Sequence, residues 1–432
     1  MQITRLFSIS AIVEVAEASS AILESFGKRA ISQIKLTLRK SPSMNYGVSM
    51  ELSGLKYLVV GAGFSGSVIA ERIATDLGEK VIVIDKRCHL GGNSYSETDP
   101  ETGIECHVYG SHIFHTSQER VWRYISQFAT FNNYRHKVLT SYLGKIYPMP
   151  INLETINSFY GNSFNPAQAA EFILSEIAKE GLESPGNLEE KALSLIGKPL
   201  YEAFVKGYTI KQWDVAPVNL PEDIITRLPV RYNYKTDYFN DCWQGLPLQG
   251  YTNIFSKMLD HRNIEVLTGI DYFDIRHCVP KDCCIIFTGP IDRFFDYKFG
   301  TLGWRTQRFE KEVHRVADFQ GISVMNYADL SVPYTRIHEF RHYHEERPYP
   351  NDKTVIYKEF STSFQAETAP YYPINTARDK ELLWLYQNEG DKMSNVLCCG
   401  RLGTYRYFNM DQAIDEALSL YETQIKSPEK TL

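Results

Sequence analysis

One stretch near the start of the chain restricts its fold more than any other. Residues 55–60 form a short apolar run that ends in Gly61-Ala62-Gly63-Phe64-Ser65-Gly66. Val68, Ile69, Ile73 and Leu77 then recur at helical spacing, and a second apolar run, 80–84, ends at Asp85. A strand, a glycine turn, a helix and another strand in this order predict a dinucleotide-binding unit built on a parallel sheet. Gly61 permits the tight turn, Gly63 lets backbone approach a pyrophosphate, and Gly66 lets helix and strand pack closely. The helix N-terminus offers amides and positive dipole to phosphate. Asp85 follows Gly66 by 19 residues, near the roughly 20 expected for an acid that binds the adenosine ribose.

The following residues separate one class of dinucleotide from another. Lys86-Arg87-Cys88-His89-Leu90-Gly91-Gly92-Asn93 sets a second glycine pair directly after the acid. A second stretch of small backbone there suits an extended cofactor, FAD rather than a nicotinamide dinucleotide.

At 432 residues the chain is long enough for two or three packed units. Later runs at 283–288 and 396–399, each leading into a glycine, are candidates to rejoin the first sheet. Asn165-Pro166 opens a helix by the cap-then-proline rule, and Asn187-Leu-Glu-Glu190 resembles a capping box. Beyond about residue 305 the apolar period becomes two, as at 335–344 and 354–360, which predicts antiparallel strands. The expected fold is α/β: a discontinuous Rossmann-like FAD-binding domain, a helical insertion and an antiparallel β-sheet domain. The boundaries read as a leader (1–50), a first cofactor-domain segment (51–135), a first sheet segment (136–150) and the helical insertion (151–220). Then follow a loop and crossing segments (221–280), a cofactor-domain strand (281–304), the antiparallel sheet (305–370) and a last cofactor-domain segment (371–432).

A net charge of −6 speaks against a nucleic-acid partner. No apolar run is long enough to span a membrane. The eight cysteines include no C-x-x-C unit, which fits reduced thiols in a cytoplasmic protein. The leader mixes basic residues with Glu14, Glu17 and Glu24. It reads as a targeting segment or as the product of an upstream start, Met50 directly preceding the first strand.

Several separated blocks then match one family in order. They are His107-Val-Tyr-Gly-Ser-His-Ile-Phe-His115, Lys206-Gly-Tyr-Thr-Ile-Lys-Gln-Trp213, Thr226-Arg-Leu-Pro-Val-Arg-Tyr232, Tyr238-Phe-Asn-Asp, Thr288-Gly-Pro-Ile-Asp292, Val332-Pro-Tyr-Thr-Arg336, Pro370-Tyr-Tyr-Pro373 and Gly400-Arg-Leu-Gly-Thr-Tyr-Arg-Tyr407. From about residue 55 to the C-terminal helix the chain resembles the bacterial-type UDP-galactopyranose mutases. The resemblance implies an isomerase that interconverts the pyranose and furanose forms of UDP-galactose and supplies galactofuranose for cell-surface glycans. Reduced FAD acts there as nucleophile through a covalent sugar adduct, without net redox change. It implies a reductant for the flavin and a homodimer.

By resemblance Arg227 lies on a mobile loop that closes over the diphosphate, and Arg336 lies beside flavin and substrate. His115 positions the reacting ring, and His112 lies against the flavin. Phe204 and Tyr208 line the uracil pocket, with Trp213 on the lid side. Tyr238 and Tyr407 bind phosphate, Tyr371 or Tyr372 lies near the sugar, and Asn326 and Asn409 lie near the galactose. Arg401 and Met410 join Gly61, Gly63, Phe64, Ser65, Gly66, Asp85, Lys86, Gly92 and Asn93 in holding FAD. Arg231 is a candidate structural arginine. No metal is implied: His107, His112 and His115, or His338, His342 and His344 on one strand face, lack thiolates at zinc spacing.

The chain departs from the family pattern at Asp85 (usually glutamate), Val108 (lysine), Ser111 (alanine), Cys399 (glycine) and Asn409 (aspartate). Two other readings stay open at this point. One is an amine-oxidase-type flavin oxidoreductase sharing the cofactor domain, and the other is an inactive sugar-nucleotide binder, suggested by Cys399 and Asn409.

Overall fold

The computed structural model describes residues 36–40, 46–50, 52, 54–182, 184–225, 230–365 and 368–427. Arg227, expected to close over a diphosphate, falls outside these residues. The chain divides into two units, 1–53 with 274–280, and 54–273 with 281–432. In the first, Leu36–Lys40 and Tyr46–Met50 pair as an antiparallel hairpin. The rest of the fold concerns the second.

The glycine-turn segment forms as its pattern dictates. Tyr57–Val60 and Val81–Asp85 are adjacent parallel strands joined through the helix Phe64–Arg72. Ile264–Thr268 flanks one side, and Cys284–Phe287 and Val396–Cys398 extend the other, giving a five-stranded, wholly parallel sheet. Its central strands are apolar on both faces because helices cover both. Val68, Ile69 and Ile73 share one core with Ile414, Ala417 and Leu418 of the helix Met410–Leu420. The last α-helix among the described residues thus packs against the helix of the glycine turn.

A seven-stranded sheet runs in the order Tyr372–Pro373, Trp304–His314, Thr354–Ser363, Arg336–Glu339, Val324–Tyr327, Val138–Tyr142, Lys145–Met149. One pair departs from the expected antiparallel arrangement: Val324–Tyr327 runs parallel to Val138–Tyr142. Parallel neighbours need a long crossover, and nearly the whole helical segment lies between these two strands. That segment comprises Leu153–Tyr160, Pro166–Ala178, Leu188–Leu200, a wide π turn Tyr201–Lys206 and Gly207–Trp213.

Asn165 caps its helix by accepting from the Gln168 amide at 3.0 Å, and Pro166 takes the first helical position. Asn187 accepts from the Glu190 amide, but the Glu190 carboxylate returns to the Gly186 amide instead of to Asn187. Half of the expected capping box therefore forms, displaced by one residue.

The strand expected over 335–344 stops at Glu339 and becomes a 3₁₀ turn, Phe340–Tyr343. Phe340 and Tyr343 are both buried. Three-residue spacing puts them on one side only in the tighter helix. His338, His342 and His344 consequently share no strand face.

Candidate active site

The strands of the five-stranded parallel sheet present their carboxyl ends to one cavity, where open α/β sheets bind ligands. It is lined by Val60, Asp85, Thr288 and Gly400, each at or just past a strand end. Gly61, Gly63, Phe64, Ser65, Gly66, Lys86, Gly92, Asn93, His112, Arg401 and Met410 also line it. The glycines are required by closeness. Gly61 has φ +109°, and a Cβ there would sit 2.0 Å from Thr288 Oγ1. A Cβ on Gly66 would sit 2.0 Å from the Gly61 carbonyl oxygen. First-turn amides of Phe64–Arg72 lack intrahelical acceptors and belong to residues of this wall.

Asp85 is the acid at the end of its strand. One carboxylate oxygen accepts from the Ala62 amide at 2.9 Å and the other from the Arg87 amide at 2.8 Å. The shorter side chain is thereby braced against the turn, and each oxygen keeps a lone pair for a ribose hydroxyl. Arg87 and Arg293, which the motif alone did not single out, also line the cavity. Arg87 donates to Asn93 at 2.9 Å and lies over the Tyr109 ring. A glycine cradle, a helix N-terminus, a carboxylate and two guanidinium groups fit a dinucleotide with its diphosphate.

A second cavity adjoins the first, and His112, Arg401, Asn409 and Met410 line both. The second is lined further by His115, Tyr208, Trp213, Tyr238, Asn326, Arg336, Tyr372 and Tyr407. Arg401 lies over the rings of Tyr372 and Tyr407, which stack at 5.7 Å. Asn326 Oδ1 and Gln212 Oε1 are buried acceptors without a protein partner. Such acceptors are costly when unmet, and hydroxyl donors of a ligand would satisfy them.

Arg336 is the strongest charge here. Its guanidinium donates to the Tyr208 hydroxyl, and its Nε lies 3.5 Å from Glu359. Burial alone would weaken its charge, but Glu359 and Tyr208 outweigh burial and hold its pKa well above the ordinary value. Behind Glu359 runs a buried relay: His338 Nε2 meets Glu359 at 2.7 Å, and His338 Nδ1 meets Ser111 Oγ, which also meets the Tyr343 hydroxyl. Burial lowers the pKa of His338. In its neutral form, donation from Nε2 to Glu359 leaves Nδ1 to accept from Ser111 and Ser111 to accept from Tyr343. Ser111, where alanine is usual, extends this chain.

His115 stacks on Phe239 at 3.6 Å, and its Nδ1 lies 2.6 Å from Asp241. A proton held on Nδ1 leaves Nε2 as an acceptor. Burial pushes His112 down to about 4, so it is neutral at physiological pH.

Two expected site residues lie elsewhere. Phe204 packs into an aromatic cluster with Tyr142, Tyr147 and Phe159 and lines neither cavity. The π turn rotates the helix between Phe204 and Tyr208, so the usual four-residue face is lost. Tyr371 is buried against Tyr109, outside both cavities, while its neighbour Tyr372 lines the cleft. Arg231 donates to Asn240 at 2.7 Å and to the Asp237 carbonyl, and so fixes the loop bearing Tyr238. Cys399 adopts φ −146°, open to any residue, and its side chain is buried in the core instead of lining the cofactor cavity. The three histidines do not gather at one point: His338 is committed to Glu359 and His344 pairs with Glu346, while His342 lies apart with Asp318 and Glu339.

The profile of the family described as UDP-galactopyranose mutase matches residues 203–407, and that of an NAD(P)-binding Rossmann-like domain matches 59–128. A probable UDP-galactopyranose mutase of Klebsiella pneumoniae is 43% identical over 86% of the chain and 94% of its own length. The chain belongs to the UDP-galactopyranose mutase family. A dTDP-fucopyranose mutase of Escherichia coli is 40% identical, over 86% of this chain and 99% of that protein. The crystal structure of a reduced UDP-galactopyranose mutase shares the fold, with a TM-score of 0.64 at 18% identity over 85% of this chain and 96% of the other. The mutase family is one of isomerases, and membership makes the chain an enzyme of that class. Among the described residues no helix is long and apolar enough to cross a membrane.

Proposed function

We propose that the enzyme interconverts UDP-galactopyranose and UDP-galactofuranose with FAD as its cofactor. One observation carries the reading: a glycine-lined cavity shares a four-residue wall with a cleft holding a guanidinium group and unmet acceptors. When bound and reduced, FAD supplies an electron-rich ring nitrogen as nucleophile toward the anomeric carbon. The chain's own groups bind and orient. Arg336, with Tyr238 and Tyr407, stabilises negative charge on the departing diphosphate. Arg227 adds a second guanidinium from its loop. Tyr208 and Trp213 flank the base, while Asn326, Asn409 and Tyr372 hold sugar hydroxyls. His115, held by Asp241 at Nδ1, presents Nε2 to a donor in the cleft. Arg401 holds the cofactor at the shared wall. A cellular reductant keeps the flavin reduced, and the enzyme works as a cytoplasmic homodimer supplying galactofuranose for cell-surface glycans.

A second substrate reading comes from the 40% identical dTDP-fucopyranose mutase. The sugar nucleotide in that name differs from UDP-galactopyranose by a deoxyribose, a thymine methyl and a 6-deoxy sugar. Dithionite-reduced enzyme is incubated anaerobically with each sugar nucleotide, and the isomers are separated by chromatography. The reading expects turnover of UDP-galactopyranose at a kcat/KM well above that of dTDP-fucopyranose, and none by oxidised enzyme. Preference for the dTDP sugar would move the assignment to the second reading. Substrate-dependent flavin reduction without isomerisation would replace both with an oxidoreductase.

A further inference from the structure

Lys211 lies on the helix Gly207–Trp213, one turn beyond Tyr208 and directly before Gln212 and Trp213. Its ammonium does not line the cleft, and among the described residues it makes no ion pair, the nearby Asp329 carboxylate only partly offsetting its burial. It donates to four backbone carbonyls, of Tyr327 at 2.7 Å, Asp329 at 2.8 Å, and Val332 and Tyr334 at 3.0 Å each. Four acceptors exceed the three N–H groups of an ammonium, so the arrangement resembles the oxygen shell of a small cation.

These carbonyls belong to the turn between two strands of the large sheet, Val324–Tyr327 and Arg336–Glu339. The first strand carries Asn326 and the second begins with Arg336. The helix meets the same turn a second time, since a Cβ on Gly207 would sit 2.3 Å from the Ala328 carbonyl oxygen. Across this contact Tyr208 accepts from Arg336. Without the ammonium, carbonyl dipoles that converge on one point would be left unmet and would repel one another. The turn would then open and carry Arg336 and Asn326 away from Tyr208. Burial pushes the Lys211 amine down to about 8, which leaves it charged at neutral pH.

We propose that Lys211 is a positioning residue: its ammonium, caged by four carbonyls of the 328–335 turn and its flanks, locks the helix presenting Tyr208 and Trp213 to the strands presenting Asn326 and Arg336. The inference rests on the mutase reading, and its test separates the two. Lys211→Ala empties the cage, whereas Lys211→Met fills it with an apolar stem of similar length. Both are assayed as reduced, flavin-loaded full-length enzyme. Each is expected to retain its flavin absorbance and to lose turnover by about 100-fold, as for a reacting geometry displaced by an ångström. Methylammonium chloride is expected to raise the Lys211→Ala rate at least about tenfold at constant ionic strength, and tetramethylammonium, which has no N–H, to leave it unchanged. Lys211→Met is expected to respond to neither. Wild-type turnover in Lys211→Met, or an Ala variant indifferent to methylammonium, overturns the proposal. If Lys211→Ala does not fold, a fully active Met variant still overturns it. A wild-type enzyme that isomerises no sugar nucleotide sinks the mutase reading instead.

Discussion

The two cavities share a wall but are built by opposite means. The first is built around glycines, strand ends and a helix N-terminus, much of it contributed by two nearby stretches, 60–66 and 85–94. The second is lined by side chains gathered from at least six elements spread along the chain. Backbone sites bind through geometry that any ligand with the same diphosphate can use. Side-chain sites place charge, and placed charge is what distinguishes a transition state from a ground state. The comparison teaches that cofactor retention and turnover should be separable by mutation, one cavity at a time.

The largest separation is expected at Arg336. Arg336→Ala should keep its flavin absorbance and lose about 1000-fold in kcat/KM, equivalent to about 4 kcal/mol of transition-state stabilisation. Loss of flavin together with turnover would break the division. The converse change is Gly66→Ala, whose Cβ would press on the Gly61 carbonyl. It should cost about 3 kcal/mol of stability by overpacking and release most of the flavin, read as absorbance near 450 nm per protein and as melting temperature.

The shared wall responds to acid. His112 has a folded pKa of about 4, pushed down from 6.5 by burial, so the unfolded chain takes up a proton that the folded site resists. Stability from this group is complete above about pH 6.5 and declines as pH falls toward 4, reaching a loss of about 2 kcal/mol by pH 5. Melting curves between pH 7 and 5 should show this decline, and His112→Gln should blunt it. An unchanged slope in the variant would place the acid sensitivity elsewhere. The smallest effect is expected at Cys399, packed in the core beside the cofactor cavity. Cys399→Gly should lose about 1 kcal/mol of stability through the lost side chain and leave turnover within about twofold. A tenfold gain would mean that the thiol obstructs the cofactor.

The same contrast explains what the sequence disclosed. Gly61, Gly63, Gly66 and Asp85 were legible because a backbone site imposes local spacing, and Asn165-Pro166 because a cap is local chemistry. The strand expected through His344 ended at Glu339, since alternation of period two does not register a switch to three-residue spacing. The resemblance puts Phe204, and Tyr371 or its neighbour Tyr372, in the cleft, but an aromatic residue carries no signal for which side of its element faces solvent. Glu359 gave no signal, and Asp241 and Lys211, though inside matching blocks, gave none for a role. Each is a lone charge whose partner lies far along the chain: 21 residues for Glu359 and His338, 126 for Asp241 and His115, and 116 or more for Lys211 and its carbonyls.

The central claim is that a flavin in the first cavity meets a sugar nucleotide in the second. A crystal structure of the full-length reduced enzyme with FAD and UDP-galactose tests it directly. The account predicts the FAD diphosphate on the 61–66 turn, the flavin ring emerging past His112 and Met410, and the substrate diphosphate within hydrogen-bond reach of Arg336 with the anomeric carbon facing the ring. A nucleotide sugar seated on the glycine turn, or an Arg336 guanidinium directed away from the bound diphosphate, would contradict it.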